Sequence, residues 1–301
     1  MTRRTAVEER AAATPTPQPT PAPASRLAER VTVIKPAPRW PHLDVRELWH
    51  YRELLGRLVW RDVMVRYKQT FVGIAWAVLV PVFTTVVGTF IFGKFAKFPA
   101  GGLPYPVLVL SGTLPMQYFI SSLTGSSTSL VANINLVTKV YFPRVMLPLS
   151  AVIVPIVDFL LGCVVLAGAM LFYDTLPGGP ELLLAPAFMG IAVLSALAAG
   201  LVLSAINVRY RDVPYALPVV LQALPLLSGV YYAVSDIPEK WQWVLAFNPM
   251  TAVISGWRWT VLDGPAPVPG QVALGVAVAA VSFMVGLMYF RRSEPRFADT
   301  I

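Results

Sequence analysis

Apolar residues fill most of this chain in blocks long enough to cross a bilayer, divided by short polar loops. Six stretches reach the roughly 20 residues that about 30 Å of hydrocarbon requires. They are residues 71–92, 103–126, 146–173, 182–206, 213–234 and 270–290. Pro81, Pro115, Pro155, Pro186, Pro218 and Pro225 fall inside them, which membrane helices tolerate when neighbours satisfy the freed carbonyls. Ahead of the first block the pattern takes a helical period. Val45, Leu48, Tyr51, Leu55, Leu58, Val59 and Val63 share one face, and Arg46, Glu53, Arg57, Arg61 and Lys68 lie opposite. A basic amphipathic helix just before a hydrophobic segment is expected to lie in the headgroup plane. The alternative is a surface helix of a small soluble domain.

Residues 235–263 test the count of spans, because residues 241–262 are apolar enough to suggest a seventh. Pro249 breaks that stretch, and Arg258 would cost about 2.5–3.5 kcal/mol at the centre of a lone membrane helix. The prediction is instead two short helices, 238–247 and 249–262, that dip into the outer leaflet and return. Proline suits the first position of each. The expected fold is therefore an all-α polytopic membrane protein. It has six transmembrane helices, an N-terminal amphipathic interface helix and two short outer re-entrant helices before the last span. The expected divisions are a Pro/Thr/Ala-rich disordered tail (1–40), the interface helix (41–70), the six-span domain (71–292) and a short tail (293–301).

Composition agrees: of 301 residues 56% are hydrophobic and only 13% charged, against about a quarter charged in soluble domains. The net charge of +8 by itself would also fit a nucleic-acid binder. Its distribution argues otherwise. If the six spans alternate, twenty Lys and Arg fall on one side and only Lys94, Lys97, Lys240 and Arg258 on the other. The rule that positive loops stay inside then places both termini in the cytoplasm, with no nucleic-acid partner. No apolar stretch follows Arg3 and Arg4 as a secretory signal would require. One cysteine, Cys163, and two histidines make disulfide and zinc chemistry poor candidates.

Catalytic motifs are missing as well. There is no G-x-x-x-x-G-K-[ST] loop and no G-x-G-x-x-G, so nucleotide hydrolysis by that route is excluded. One formal charge, Asp158, lies well inside a predicted span. It reads either as a polar contact in a translocation path or as an inter-helix hydrogen bond or protonated acid. Ion-coupled carriers usually hold several such groups. Two loops on the basic side are short yet rich in polar and aromatic residues: 133–144, ending Lys139-Val140-Tyr141-Phe142-Pro143-Arg144, and 207–212, ending Arg209-Tyr210-Arg211-Asp212. A Tyr-Phe pair beside cations offers interface anchors; positive-inside charge with an aromatic belt is the competing account.

Four separated stretches give a resemblance. They are Arg61-Asp62 with Arg66-Tyr67-Lys68-Gln69-Thr70, Gly73 and Trp76; Lys139 to Arg144 with Leu147-Pro148; Tyr210-Arg211-Asp212-Val213; and Asn248-Pro249-Met250 with Ile254 and Arg258. In this order, and with the spans, they resemble the membrane subunit of ABC-2 type exporters, in particular the polysaccharide, O-antigen and teichoic-acid permeases. The likeness covers roughly residues 48–292; the first 40 depart from the compact family pattern. It implies a homodimer working with two copies of a separate cytoplasmic ATPase, which would carry ATP and Mg, with no cofactor on this chain. The implied docking residues are Arg61, Asp62, Lys139, Tyr141, Phe142, Pro143, Arg144, Arg209, Tyr210, Arg211 and Asp212. The implied path or gate holds Tyr231, Tyr232, Trp241, Trp243, Asn248, Pro249 and Arg258.

A lipid-linked polysaccharide, its pyrophosphate drawn by Arg57, Arg61, Arg66 or Lys68, is the expected substrate, with membrane lipids as neighbours. Aromatic faces around Tyr231 and Trp241 would suit sugar rings, or else form an interfacial belt. Export of a drug or lipid is the alternative. A multi-pass glycosyl- or acyltransferase is weaker, because His42 and His50 both precede the first span and no acidic partner lies at matching depth.

Overall fold

The computed structural model describes residues 49–68, 75–176 and 179–300, with side chains through residue 297. Among them every regular element is helical. The expected 1–40 tail, and residues 41–48 and 69–74 of the interface helix and first span, lie outside the described residues. In chain order the helices are α1 (Arg52–Lys68), α2 (Ala75–Gly88), α3 (Tyr105–Ala132), α4 (Ile134–Lys139), α5 (Met146–Ile153) and α6 (Ile156–Phe172). There follow α7 (Ala185–Tyr210), α8 (Val213–Leu227), α9 (Glu239–Ala246), α10 (Pro249–Leu262) and α11 (Pro269–Thr300).

Five segments are long and apolar enough to cross a membrane: α2 with its continuation to Phe95, α3, α5 with α6, α7 with the 3₁₀ turn before it, and α11 as far as Phe297. At the centre is α3: 78% of its most apolar stretch is buried, against 17% for the segment of α2 and 22% for that of α11. It packs on α7, α5, α2, α6 and α10. Its residues explain why. Ser, Thr and Gly recur along it, so neighbours approach closely, and its hydroxyls bond back to carbonyls of the preceding turn: Ser111 to Leu108, Ser127 to Thr124, Ser129 to Ser126. These three hydroxyls are thus satisfied without water, as a membrane interior demands. Close approach is visible at Gly200 of α7, where an added Cβ would stand 2.3 Å from the Ser126 hydroxyl. Small-residue contacts of this kind supply membrane packing that a hydrophobic effect between helices cannot.

Three differences from the expected spans have local causes. The fifth, expected over 213–234, is helical only over the fifteen residues of α8, because Gly229 takes φ +76° and turns the chain. The first passes at Thr89 into a π-helical turn, Thr89–Phe95, where bare Gly93 lets the Tyr105 ring lie against the backbone. The expected tail 293–301 is instead helical through Thr300, held by Phe297, buried against Phe290 with ring centroids 5.4 Å apart. The two short helices before the last span match expectation closely as α9 and α10. Pro249 starts α10, and the Asn248 side chain caps it by accepting from the Met250 amide at 3.0 Å. Nearly all of α10 is buried, within the cluster that includes Leu114, Phe159 and Ile254.

Candidate functional site

The basic residues gather at one end of the bundle, where α1, α4 and the ends of α7 and α11 meet. Lys139, Arg209, Tyr210, Arg211 and Asp212 are exposed there. Arg211, at φ +53°, closes α7, and the Arg209 guanidinium lies over the Tyr210 ring at 5.1 Å. The Tyr141-Phe142 pair divides: Tyr141 is 82% exposed while Phe142 is 6% exposed, packed in the cluster of Leu58, Leu130 and Phe290. Pro143 is also buried. Arg144 reaches α11 instead of solvent, donating to the Glu294 carbonyl and lying 5.9 Å from the Phe297 ring. Of the expected docking set, Phe142, Pro143 and Arg144 thus face inward. Arg61 and Asp62 pair at 2.7 Å, and Arg61 also donates to the Asn133 side chain at 2.9 Å, joining α1 to the base of α3.

A groove leads inward from this point. Its outer reach, about 540 Å³, runs past Arg61 and Asp62 along Gly125, Thr128, Asn133 and Ser150. Its inner reach, about 390 Å³, is more apolar and touches Trp76, Val80, Leu114, Gln117 and Phe159. Where the two meet, Arg66 forms an ion pair of 2.6 Å with Asp158, and the Tyr67 hydroxyl donates to the same carboxylate. Asp158 sits in the first turn of α6, where the positive end of the helix dipole favours a carboxylate. Burial first, then the hydrogen bond to Asp158, pushes the Tyr67 phenol well above its ordinary pKa, so it stays a donor. Arg57 and Lys68 are exposed but line neither reach. Of the four cations expected to draw a pyrophosphate, Arg61 and Arg66 line the groove and Arg57 and Lys68 do not.

The opposite end is organised by Arg258. Its guanidinium, buried with the residue 6% exposed, donates to the carbonyls of Gly229 (2.7 Å), Tyr232 (2.9 Å), Leu108 (2.9 Å) and Val230 (2.6 Å), and to the Ser111 hydroxyl at 3.3 Å. Burial lowers its pKa to about 9, which leaves it charged at neutral pH. Tyr231 stacks on Phe92 at 4.4 Å and Tyr232 meets Phe98 edge-on; burial raises both phenols above their ordinary pKa. Trp241 and Trp243 remain exposed on α9. Asn248 donates to the Ser228 hydroxyl at 2.7 Å, tying the cap of α10 to the end of α8. Among the described residues no cluster of His, Cys, Asp and Glu could hold a metal ion.

Residues 53–262 match the ABC-2 type transporter family. The chain belongs to that family. Among curated ABC-2 relatives, an O-antigen export system permease protein RfbA of Klebsiella pneumoniae is 26% identical over 249 residues, covering 83% of this chain and 95% of the relative. The RfbA of Myxococcus xanthus is 28% identical over 259 residues, 85% and 98% respectively. The polysialic acid transport protein KpsM of Escherichia coli is 22% identical over 250 residues, 78% and 91%.

Within this ABC-2 chain the four motif stretches separate by depth. Arg61 and Asp62 of the first, with the second and the third, gather at the basic end, and the fourth, which includes Arg258, lies at the opposite end. Sequence reasoning missed Asn133 as the partner of Arg61, Glu294 as the partner of Arg144 and Arg66 as the partner of Asp158. The last pair had a signal, the lone charge of Asp158 in an apolar span, which required a counter-group.

Proposed function

We infer that this chain is the membrane-spanning subunit of an ATP-driven exporter that moves a lipid-linked polysaccharide or related cell-envelope glycan across the plasma or inner membrane. The observation that carries this reading is the likeness, along more than four fifths of the chain, to permeases named for O-antigen export. The subunit pairs with itself and with two copies of a separate ABC ATPase, which binds ATP and Mg. The exposed basic end, with Tyr141 and the segment Arg209 to Asp212 projecting from it, offers the docking face. By the charge distribution it lies in the cytoplasm with both termini. Arg66 is the cation best placed to meet a pyrophosphate, because it alone of the four expected residues reaches both parts of the groove. Arg258 serves as a strut beneath the outer end, and Trp241 and Trp243 are the aromatics left free for glycan or lipid.

The test is deletion of the gene followed by complementation, scoring polysaccharide at the cell surface and glycan retained inside. Loss of the surface polymer with intracellular build-up, restored by the gene, is expected. An unchanged surface polymer with altered tolerance of a lipophilic drug would transfer the assignment to the drug or lipid exporters.

A further inference from the structure

The two reaches of the groove share Arg66, Ser121 and Pro155, so they abut, with the Arg66–Asp158–Tyr67 cluster between them. Hydroxyl and amide groups line the outer reach; apolar side chains dominate the inner one. The two partners differ in access: the Arg66 side chain is 43% exposed and that of Asp158 21%, so the cation is approachable while the carboxylate lies behind it. A guanidinium takes phosphate in the same forked geometry as carboxylate. An anion arriving along the outer reach therefore meets a guanidinium already held by a rival. Trp76 and Val80, on the inner wall, belong to α2, most of whose apolar surface is exposed. An aliphatic tail can thus remain against α2 while its headgroup lies at the junction.

We propose that Asp158 is a competing counter-ion for Arg66: a lipid-borne phosphate headgroup displaces Asp158 from Arg66, and separation of the pair opens the passage between the two reaches. The proposal rests on the exporter reading for its biological substrate but makes its own claim about chemistry. Asp158 sets selectivity by requiring an anion strong enough to displace a carboxylate, and it closes the passage when no such anion is present. The competing account is a staple, in which the pair only fastens α1 to α6.

The two accounts predict opposite signs. The full chain is placed in phosphatidylcholine nanodiscs doped with a polyprenyl monophosphate, and bound lipid is counted by native mass spectrometry, with inorganic pyrophosphate as a second probe. Asp158→Asn is expected to bind the lipid about tenfold more tightly, the factor recovered when a site competent about a tenth of the time becomes always competent. Arg66→Gln is expected to lose most binding. Competition by pyrophosphate alone, without lipid binding, would make the ligand a free phosphate and overturn the lipid assignment. Unchanged or weaker lipid binding by a folded Asp158→Asn overturns the counter-ion role.

If Asp158→Asn does not fold, the exchange Arg66→Asp with Asp158→Arg keeps an ion pair while moving the guanidinium to α6. Lost binding with an unchanged melting temperature supports the proposal, and retained binding overturns it. Failure of both variants to fold assigns the pair to stapling. Should the gene restore surface polysaccharide while Asp158→Asn binds no tighter, the counter-ion role alone fails. Should it not restore the polymer while Asp158→Asn binds tighter, the exporter reading fails and the phosphate site stands.

Discussion

Arg258 on α10 donates to the Gly229 carbonyl at 2.7 Å, and this bond sits at the point where the chain leaves α8 and turns back. Four carbonyls and a hydroxyl converge on that guanidinium. A turn with several inward-pointing carbonyls would be costly in an apolar setting, and the cation would be costly alone; each resolves the other. Replacing Arg258 by Met leaves the carbonyls without a donor and is expected to cost at least about 3 kcal/mol. A clear fall in the melting temperature of the detergent-solubilised permease would report it. Arg258→Lys should recover only part, because an ammonium has three donors where the fork has five. An Arg258→Met protein as stable as wild type would show the strut to be unimportant.

Gly286 marks a close contact between α7 and α11: an added Cβ would lie 2.5 Å from the Ala198 carbonyl oxygen, a backbone atom that cannot rotate away. Gly286→Val should therefore push the two helices apart and destabilise by about 1–3 kcal/mol. Gly168, with nothing within 4 Å of its Cβ position, is the control, and Gly168→Ala should leave thermal stability essentially unchanged.

Tyr141 and Phe142 should respond differently to truncation. Tyr141→Ala removes an exposed ring, so its effect on stability is within about 0.5 kcal/mol, yet co-purification with the ATPase is expected to fail. Phe142→Ala opens a cavity in the cluster around Leu58 and Phe290 and costs about 3–5 kcal/mol. Measuring melting and ATPase recovery on both separates docking from folding; full recovery with Tyr141→Ala would remove Tyr141 from the docking face.

Orientation is testable with single cysteines in a Cys163→Ser background. In right-side-out spheroplasts an impermeant maleimide should label Lys240→Cys directly and Lys139→Cys only after lysis. The reverse order would invert the assigned sidedness.

Punctuation was the most legible part of the fold. Pro249 behind a capping Asn248 announced α10, and the high cost of Arg258 in lipid called for the buried acceptors that the fold supplies. The partners of Arg258 were hidden because they are carbonyls, which every residue carries, so side-chain identity gave no clue. The end of α8 was hidden for a related reason. Residues 228–234 are as apolar as the helix before them, and hydropathy does not register the positive φ of Gly229. The Tyr141-Phe142 pair misled because adjacent residues beside the extended backbone of Val140 point to opposite sides, so only one could be an exposed anchor. Asp158 could be read as needing company, but its partners Arg66 and Tyr67 belong to a helix far earlier in the chain.

The shortness of α8 has a consequence for the lipid around it. Fifteen residues rise about 22 Å, short of the roughly 30 Å of an average hydrocarbon core. Only Val213, Leu217 and Leu221 are buried along it, and Tyr215, Val219, Val220, Leu226 and Leu227 face outward. Where lipid rather than a second copy of the chain covers this face, acyl chains beside α8 would shorten or tilt to meet it, at a cost of fractions of a kcal/mol per Å. The length of α8 then predicts that thinner bilayers suit that flank better than thick ones.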